Sequence, residues 1–152
     1  RVGHVHLKVT DLDRAIHFFT DVLGFALTQR YGDRAAFLSA GNYHHHIGLN
    51  TWHSRGAGPA PVRAAGLYHV AFLFPARASL GAALQRVLDH GTALAGAADH
   101  GVSEAVYFND PDGNGIELYR DRAPQDWPRD ADGALAMIND PLDVPALLAE
   151  GR

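Results

Sequence analysis

The chain has 152 residues, 47% hydrophobic and 20% charged, which fits one ordinary domain with a sizeable core and excludes a mainly disordered chain. Thirteen Lys and Arg against 17 Asp and Glu leave a net charge of -4, so charge supplies no reason to bind nucleic acid or an anionic membrane. There is no cysteine, hence no disulfide, thiolate nucleophile or Cys-ligated metal, whereas ten histidines put any metal or acid–base chemistry on His, Asp, Glu and Tyr. No apolar run is long enough to span a bilayer. The opening Arg1-Val2-Gly3-His4 has the pattern of neither a signal nor a transit peptide, and a cytoplasmic location is the expectation.

In chain order, residues 4–10 (HVHLKVT) alternate as a half-buried strand does, with Val5, Leu7 and Val9 on one face and His4, His6 and Lys8 on the other. Asp11 or Asp13 can cap a helix that carries Ile16, Phe19, Val22 and Leu23 and stops at Gly24. Strands are expected over 25–30, 34–39 and 44–50, with turns at Gly32-Asp33 and Gly41-Asn42. Residues 53–66, rich in Gly, Pro and Ala, read as a linker or exposed loop. The pattern then returns. A strand over 68–74 leads to a helix capped by Ser79, with Leu80, Leu84, Val87 and Leu88 on one side and Gly91 at its end. Strands at 92–95, 104–109 and 115–120 follow, and Asp110-Pro111-Asp112-Gly113 is a strong turn. Beyond Arg122, prolines break the chain before a short terminal helix at 143–150, expected as a flap on the domain or on a second copy, which makes a homodimer one of the expected states.

Both halves read βαβββ, and they align at an offset of 65 residues: His4 with His69, Phe19 with Leu84, Val22 with Val87, Leu23 with Leu88. This is the mark of an internal duplication. The expected fold class is α+β, built of two βαβββ modules. The modules span about 1–52 and 66–122 of a domain over 1–122, and 123–152 form a C-terminal extension with a short helix.

Two strand-borne imidazoles at equivalent places, His4 and His69, and Glu117 in the last strand suit a divalent transition metal with open positions, the facial arrangement of non-haem Fe(II) oxygenases. His6 shares a face with His4 and is the rival ligand, but its repeat partner is Ala71, which cannot ligate. In the run His44-His45-His46, alternation sends His45 opposite its neighbours, so at least one of the three is expected to reach the site. Aligning Ile47-Gly48-Leu49 with Ile116-Glu117-Leu118 places Gly48 at the repeat equivalent of Glu117, where no side chain can ligate. Trp52, Tyr43 and Phe108 are as easily core as pocket lining.

The segments "GHVHLKVTDLDRAIHFFTDVLGF", "YHVAF" and "DPDGNGIELY" resemble the two ligand strands and the last hairpin of the vicinal oxygen chelate superfamily, which holds glyoxalase I, fosfomycin and bleomycin resistance proteins and extradiol dioxygenases. The resemblance covers residues 3–122, selects His4, His69 and Glu117 as metal ligands, and implies that the two βαβββ modules form an incomplete barrel around a metal site. "NYHHHIGLNTW", Tyr107 ten residues before Glu117, and "HGVSEAVYF" lean toward the one-domain extradiol branch. There the resemblance implies Fe(II) as cofactor, with Mn(II), Ni(II) or Zn(II) as alternatives, and a small aromatic catechol plus O2 as partners, without nucleic acid or membrane. It implies His45 as an acid–base residue, Tyr107 as a hydrogen-bonding phenol and His100 as a further site histidine. The alternatives are a glyoxalase-like lyase or isomerase, which would use an acidic fourth ligand where Gly48 stands, and a resistance-type protein that binds a ligand without catalysis.

Overall fold

The computed structural model describes residues 2–152, which fall into two compact units. The first runs to Tyr68 and includes Asp110–Asn114; the second holds His69–Asn109 and Gly115–Arg152.

In the first unit, β1 (Val5–Lys8) leads to α1 (Leu12–His17), then β2 (Ala26–Tyr31), β3 (Ala35–Ser39) and β4 (Ile47–Asn50). The sheet order is β1-β4-β3-β2, with β1 parallel to β4 and the other pairs antiparallel. Asp11 caps α1, its carboxylate accepting from the Arg14 amide at 3.0 Å, which satisfies one of the N–H groups that a helix start leaves unpaired. The single helix expected to Leu23 instead widens after His17 into a π-helical turn, Phe18–Val22. The wider turn lets the adjacent Phe18 and Phe19 both be buried, ring centroids 5.3 Å apart, and they pack with Leu12, Ala15, Val22 and Leu23 against the sheet. The loop over 53–66 carries neither helix nor strand. The Asp110–Asn114 turn closes on itself: the Asp110 carboxylate accepts from the amides of Asp112 and Asn114 and from the Asn114 side chain. Its Asp112 in turn accepts from the Thr10 amide and hydroxyl and from Arg14.

The second unit repeats the plan with β5 (Val70–Leu73), α2 (Arg77–Asp89), β6 (Gly96–Asp99), β7 (Ser103–Asn109) and β8 (Gly115–Asp121). With β9 (Asp140–Pro141) at its edge, its sheet order is β5-β8-β7-β6-β9, with β5 parallel to β8. Two expected boundaries move. The helix begins two residues before Ser79, capped at Ala76, and Ser79 instead sits within its first turn, with its hydroxyl donating to the Ala76 carbonyl. The strand expected at 92–95 forms at 96–99, where Ala97 and Ala98 pair with Val106 and Ala105 of β7; small residues with weak strand propensity gave little signal. Residues 123–152 pack within this unit. β9 (Asp140–Pro141) adds to β6, and α3 (Val144–Glu150) lies on α2 with Leu147 fully buried. The buried Glu104 accepts from Arg77, Arg120 and Arg122, and Arg77 also pairs with Glu150 of α3.

Candidate active site

The strand registers carry the repeat into three dimensions. Val5 pairs with Ile47 and His6 with Gly48 in the first sheet; Val70 pairs with Ile116 and Ala71 with Glu117 in the second. His4 and His69 therefore each stand one residue before the matching strand, and Gly48 is the structural counterpart of Glu117. Because β1 and β5 are parallel to their partners, neighbouring side chains at paired positions share a face.

In the second unit that face is crossed by Glu117. With only the Ala71 methyl beside it, the Glu117 carboxylate reaches His69, Oε2 to Nε2 at 2.8 Å. Its other oxygen, Oε1, lies 3.4 Å from the hydroxyl of Tyr107, the residue paired with Glu117 on β7. The Tyr107 hydroxyl is 2.8 Å from His100 Nε2. So His69, Glu117, Tyr107 and His100 form one hydrogen-bonded line. Burial, reinforced by the Glu117 charge, pushes the Tyr107 phenol up to about 12, so it is a neutral hydroxyl at ordinary pH.

In the first unit the same crossing is occupied from the other side. The His6 ring lies over Gly48 so closely that a Cβ there would meet its Cγ and Nδ1 at 2.8 Å. The ring is flanked by Trp52 and Phe37, with centroids at 5.6 and 6.1 Å. Partial desolvation under these rings, then the nearby His4, lowers the pKa of the otherwise exposed His6. The absence of a carboxylate at 48 was readable from the sequence; that the glycine is needed to seat an imidazole was not, because only the strand register brings the two together. His4 packs on His45, ring centroids 4.5 Å apart.

The histidine run departs from expectation. Strand β4 begins at Ile47, so 44–46 do not alternate. His44 and His45 come together instead, Nδ1 to Nδ1 at 2.7 Å, which requires one ring to donate and the other to accept. His46 turns toward Ser39 and the Ala40 amide. His44 and His45, with Thr28, Gln29 and Phe37, line a cavity of about 480 Å³. Burial, then the neighbouring imidazoles beginning with His4, lower the His45 pKa. Of the aromatics, Phe108 is plain core, Tyr43 stacks on His44, and Trp52 lies half exposed against His6.

Among the described residues no three His, Cys, Asp or Glu side chains are grouped as an ion would need. The His69–Glu117 pair nevertheless fits a divalent cation: an imidazole nitrogen and a carboxylate oxygen 2.8 Å apart are the donor types such ions take, and an ion would replace the proton they share. No helix among the described residues is long and apolar enough to cross a membrane.

Matched registers, a His before each leading strand and a carboxylate on the last one define a duplicated-module α+β protein with an imidazole–carboxylate site. The chain belongs to the Glyoxalase/Bleomycin resistance protein/Dioxygenase superfamily, whose model matches residues 1–118. It is 41% identical over 150 residues to a catechol-2,3-dioxygenase of Bacillus subtilis, covering 98% of this chain and 51% of that protein. It is 30% identical over 121 residues to a biphenyl-2,3-diol 1,2-dioxygenase of Rhodococcus globerulus, covering 80% of this chain and 63% of the relative. The chain thus spans about half to two thirds of these relatives' length. A glyoxalase/dioxygenase structure from Nostoc punctiforme has the same fold, with a TM-score of 0.67 at 20% identity, over 81% of this chain and 92% of that one.

Proposed function

We propose that the chain cleaves a catechol-type aromatic ring with O2 by Fe(II)-dependent extradiol chemistry. The observation that carries the reading is the line His69–Glu117–Tyr107–His100: a cation-ready imidazole–carboxylate pair beside a neutral phenol held by a second imidazole. The names of the two relatives, both dioxygenases of aromatic diols, agree with it. His69 and Glu117 would hold the iron, with His4 as third ligand, in an incomplete barrel formed by the two modules. Bound Fe(II) would supply a common site for the two catechol oxygens and O2 and a path for electrons between them. Tyr107 hydrogen-bonds a substrate oxygen. His45, whose lowered pKa keeps it neutral at ordinary pH, accepts a catechol proton and returns it as the ring opens. An imidazole suits both steps.

The test is anaerobic Fe(II) loading followed by oxygen uptake with a panel of catechols. A ring-opened, coloured product with matching O2 consumption is expected. No uptake with any catechol, from protein shown to hold one ferrous ion per chain, overturns the reading.

A further inference from the structure

The C-terminal extension touches the hydrogen-bonded line at its far end. The His100 backbone carbonyl accepts from the Ile138 amide at 3.1 Å, and the His100 ring Nδ1 lies 3.1 Å from the Ile138 carbonyl. Next to it, a Cβ at Gly101 would meet Pro128 Cγ at 2.7 Å and Ile138 Cγ1 at 3.2 Å, so the extension is pressed against this corner. β9, two residues on, continues the pairing along β6.

We propose that the extension is a positioning device: the Ile138 carbonyl fixes the tautomer of His100 and thereby the direction of the Tyr107 hydroxyl proton. A carbonyl oxygen can only accept, so Nδ1 must carry the ring proton. In the neutral ring Nε2 is then a lone pair, and the Tyr107 hydroxyl at 2.8 Å must donate to it. Tyr107 has one proton and two acceptors within reach; His100 at 2.8 Å holds it against Glu117 at 3.4 Å. The phenol oxygen is left to present lone pairs, so toward a bound substrate Tyr107 accepts from a catechol hydroxyl and does not donate. With the other tautomer, His100 would donate to Tyr107 and the phenol proton would turn toward Glu117 or the substrate. The catalytic consequence rests on the dioxygenase reading above; the tautomer does not.

The test uses the full chain with ring-15N-labelled histidine, first without metal, the His100 signals being assigned by their loss in His100→Gln. Nδ1 is expected to be protonated and Nε2 bare; the reverse overturns the proposal. Two variants then weaken the clamp. Gly101→Ala wedges Pro128 and Ile138 away and also strains the backbone, because φ at Gly101 is +74°. Replacing Asn139 by its α-hydroxy acid, through ligation of a synthetic C-terminal peptide, turns the Ile138 carbonyl into a weaker ester acceptor while keeping every side chain. In the ester variant, which keeps the assay alive should Gly101→Ala fail to fold, the Nε2–H form should gain population and kcat of the iron-loaded protein should fall by roughly five- to tenfold, the weight of about one neutral hydrogen bond. A tautomer that moves with kcat unchanged overturns the positioning role, as does a urea midpoint that falls while the ring stays Nδ1–H. Wild-type protein with the Nδ1–H ring and no turnover of any catechol would instead sink the dioxygenase reading and uphold the tautomer.

Discussion

Replacing Gly48 by alanine tests whether the two modules divide the strand crossing between an imidazole and a carboxylate. The added Cβ would lie 2.8 Å from Cγ and Nδ1 of His6 and 3.1 Å from Cδ2, against 3.4–4 Å for ordinary contact. An overlap of that size with three ring atoms forces the imidazole to swing. Overpacking of this kind costs about 1–3 kcal/mol. His6 is exposed and can rotate toward solvent, so the expected cost is near 1 kcal/mol, mainly the lost packing on Trp52 and Phe37. For a chain of this length that is a fall in Tm of roughly 2–4 °C. Urea unfolding of Gly48→Ala, His6→Ala and the double variant gives the coupling directly. Once His6 is truncated, the methyl at 48 should be tolerated, so the double variant should be about as stable as His6→Ala alone. Gly48→Glu should behave as a larger version of the same clash. Equal costs for Gly48→Ala with and without His6 would refute the steric argument, and with it the explanation of why position 48 cannot carry the counterpart of Glu117.

Three further outcomes are expected. If the chain is the proposed dioxygenase, His45→Ala should still take up Fe(II) on loading, measured by elemental analysis, yet lose about 10²–10⁴ in turnover, as removal of an acid–base group does; failure to take up Fe(II) would make His45 a ligand. Glu104→Gln should lower stability by about 3–5 kcal/mol in urea titration, because Arg77, Arg120 and Arg122 would keep their charges around a buried neutral amide; a change under 1 kcal/mol would show that the cluster is solvated. Asp110 is buried and burial raises its pKa, so the folded chain binds its proton more readily than the unfolded chain does. Stability contributed by that proton falls as pH rises and grows as pH drops through the carboxylate range. Wild type should therefore gain on Asp110→Asn as urea midpoints are compared from neutral to acid pH, and a constant difference would contradict this.

The repeat was legible because it is written in two places at once. The 65-residue offset in the leading strand and helix identified His4 with His69, and the structure's registers carry the same equivalence into strand pairing. Helix α1 and the Asp110–Asn114 turn were readable from Asp11 and from the Asp-Pro-Asp-Gly signal, since local side-chain-to-backbone bonds make both. What failed was local inference without local cause. The run His44–His46 read as the start of a strand by extension from Ile47–Asn50, but a polar run has no alternating face to bury, and the ladder begins only where the apolar residues do. β6 escaped because Gly-Ala-Ala-Asp is held by its neighbours and not by propensity. The Ile138 carbonyl could not have been found at all, since a backbone atom leaves no mark in the residue types.

The same register also explains how one module can serve two purposes. At each crossing the leading strand and the last strand contribute one position apiece, side by side on one face, and there is room for one long side chain between them. The second module spends that room on Glu117 and keeps Ala71 small; the first spends it on His6 and keeps Gly48 bare. A carboxylate at both crossings would require His6 to shrink as well, so placing an acid at the first crossing takes two coordinated substitutions and not one. If the proposed three-ligand site is right, Gly48→Glu with His6→Ala, mirroring Ala71 beside Glu117, is the variant in which a fourth ligand is expected. Its metal affinity, measured by competition with a chelator, should exceed that of Gly48→Glu alone, and equal affinities would show that the crossing is not what excludes the acid.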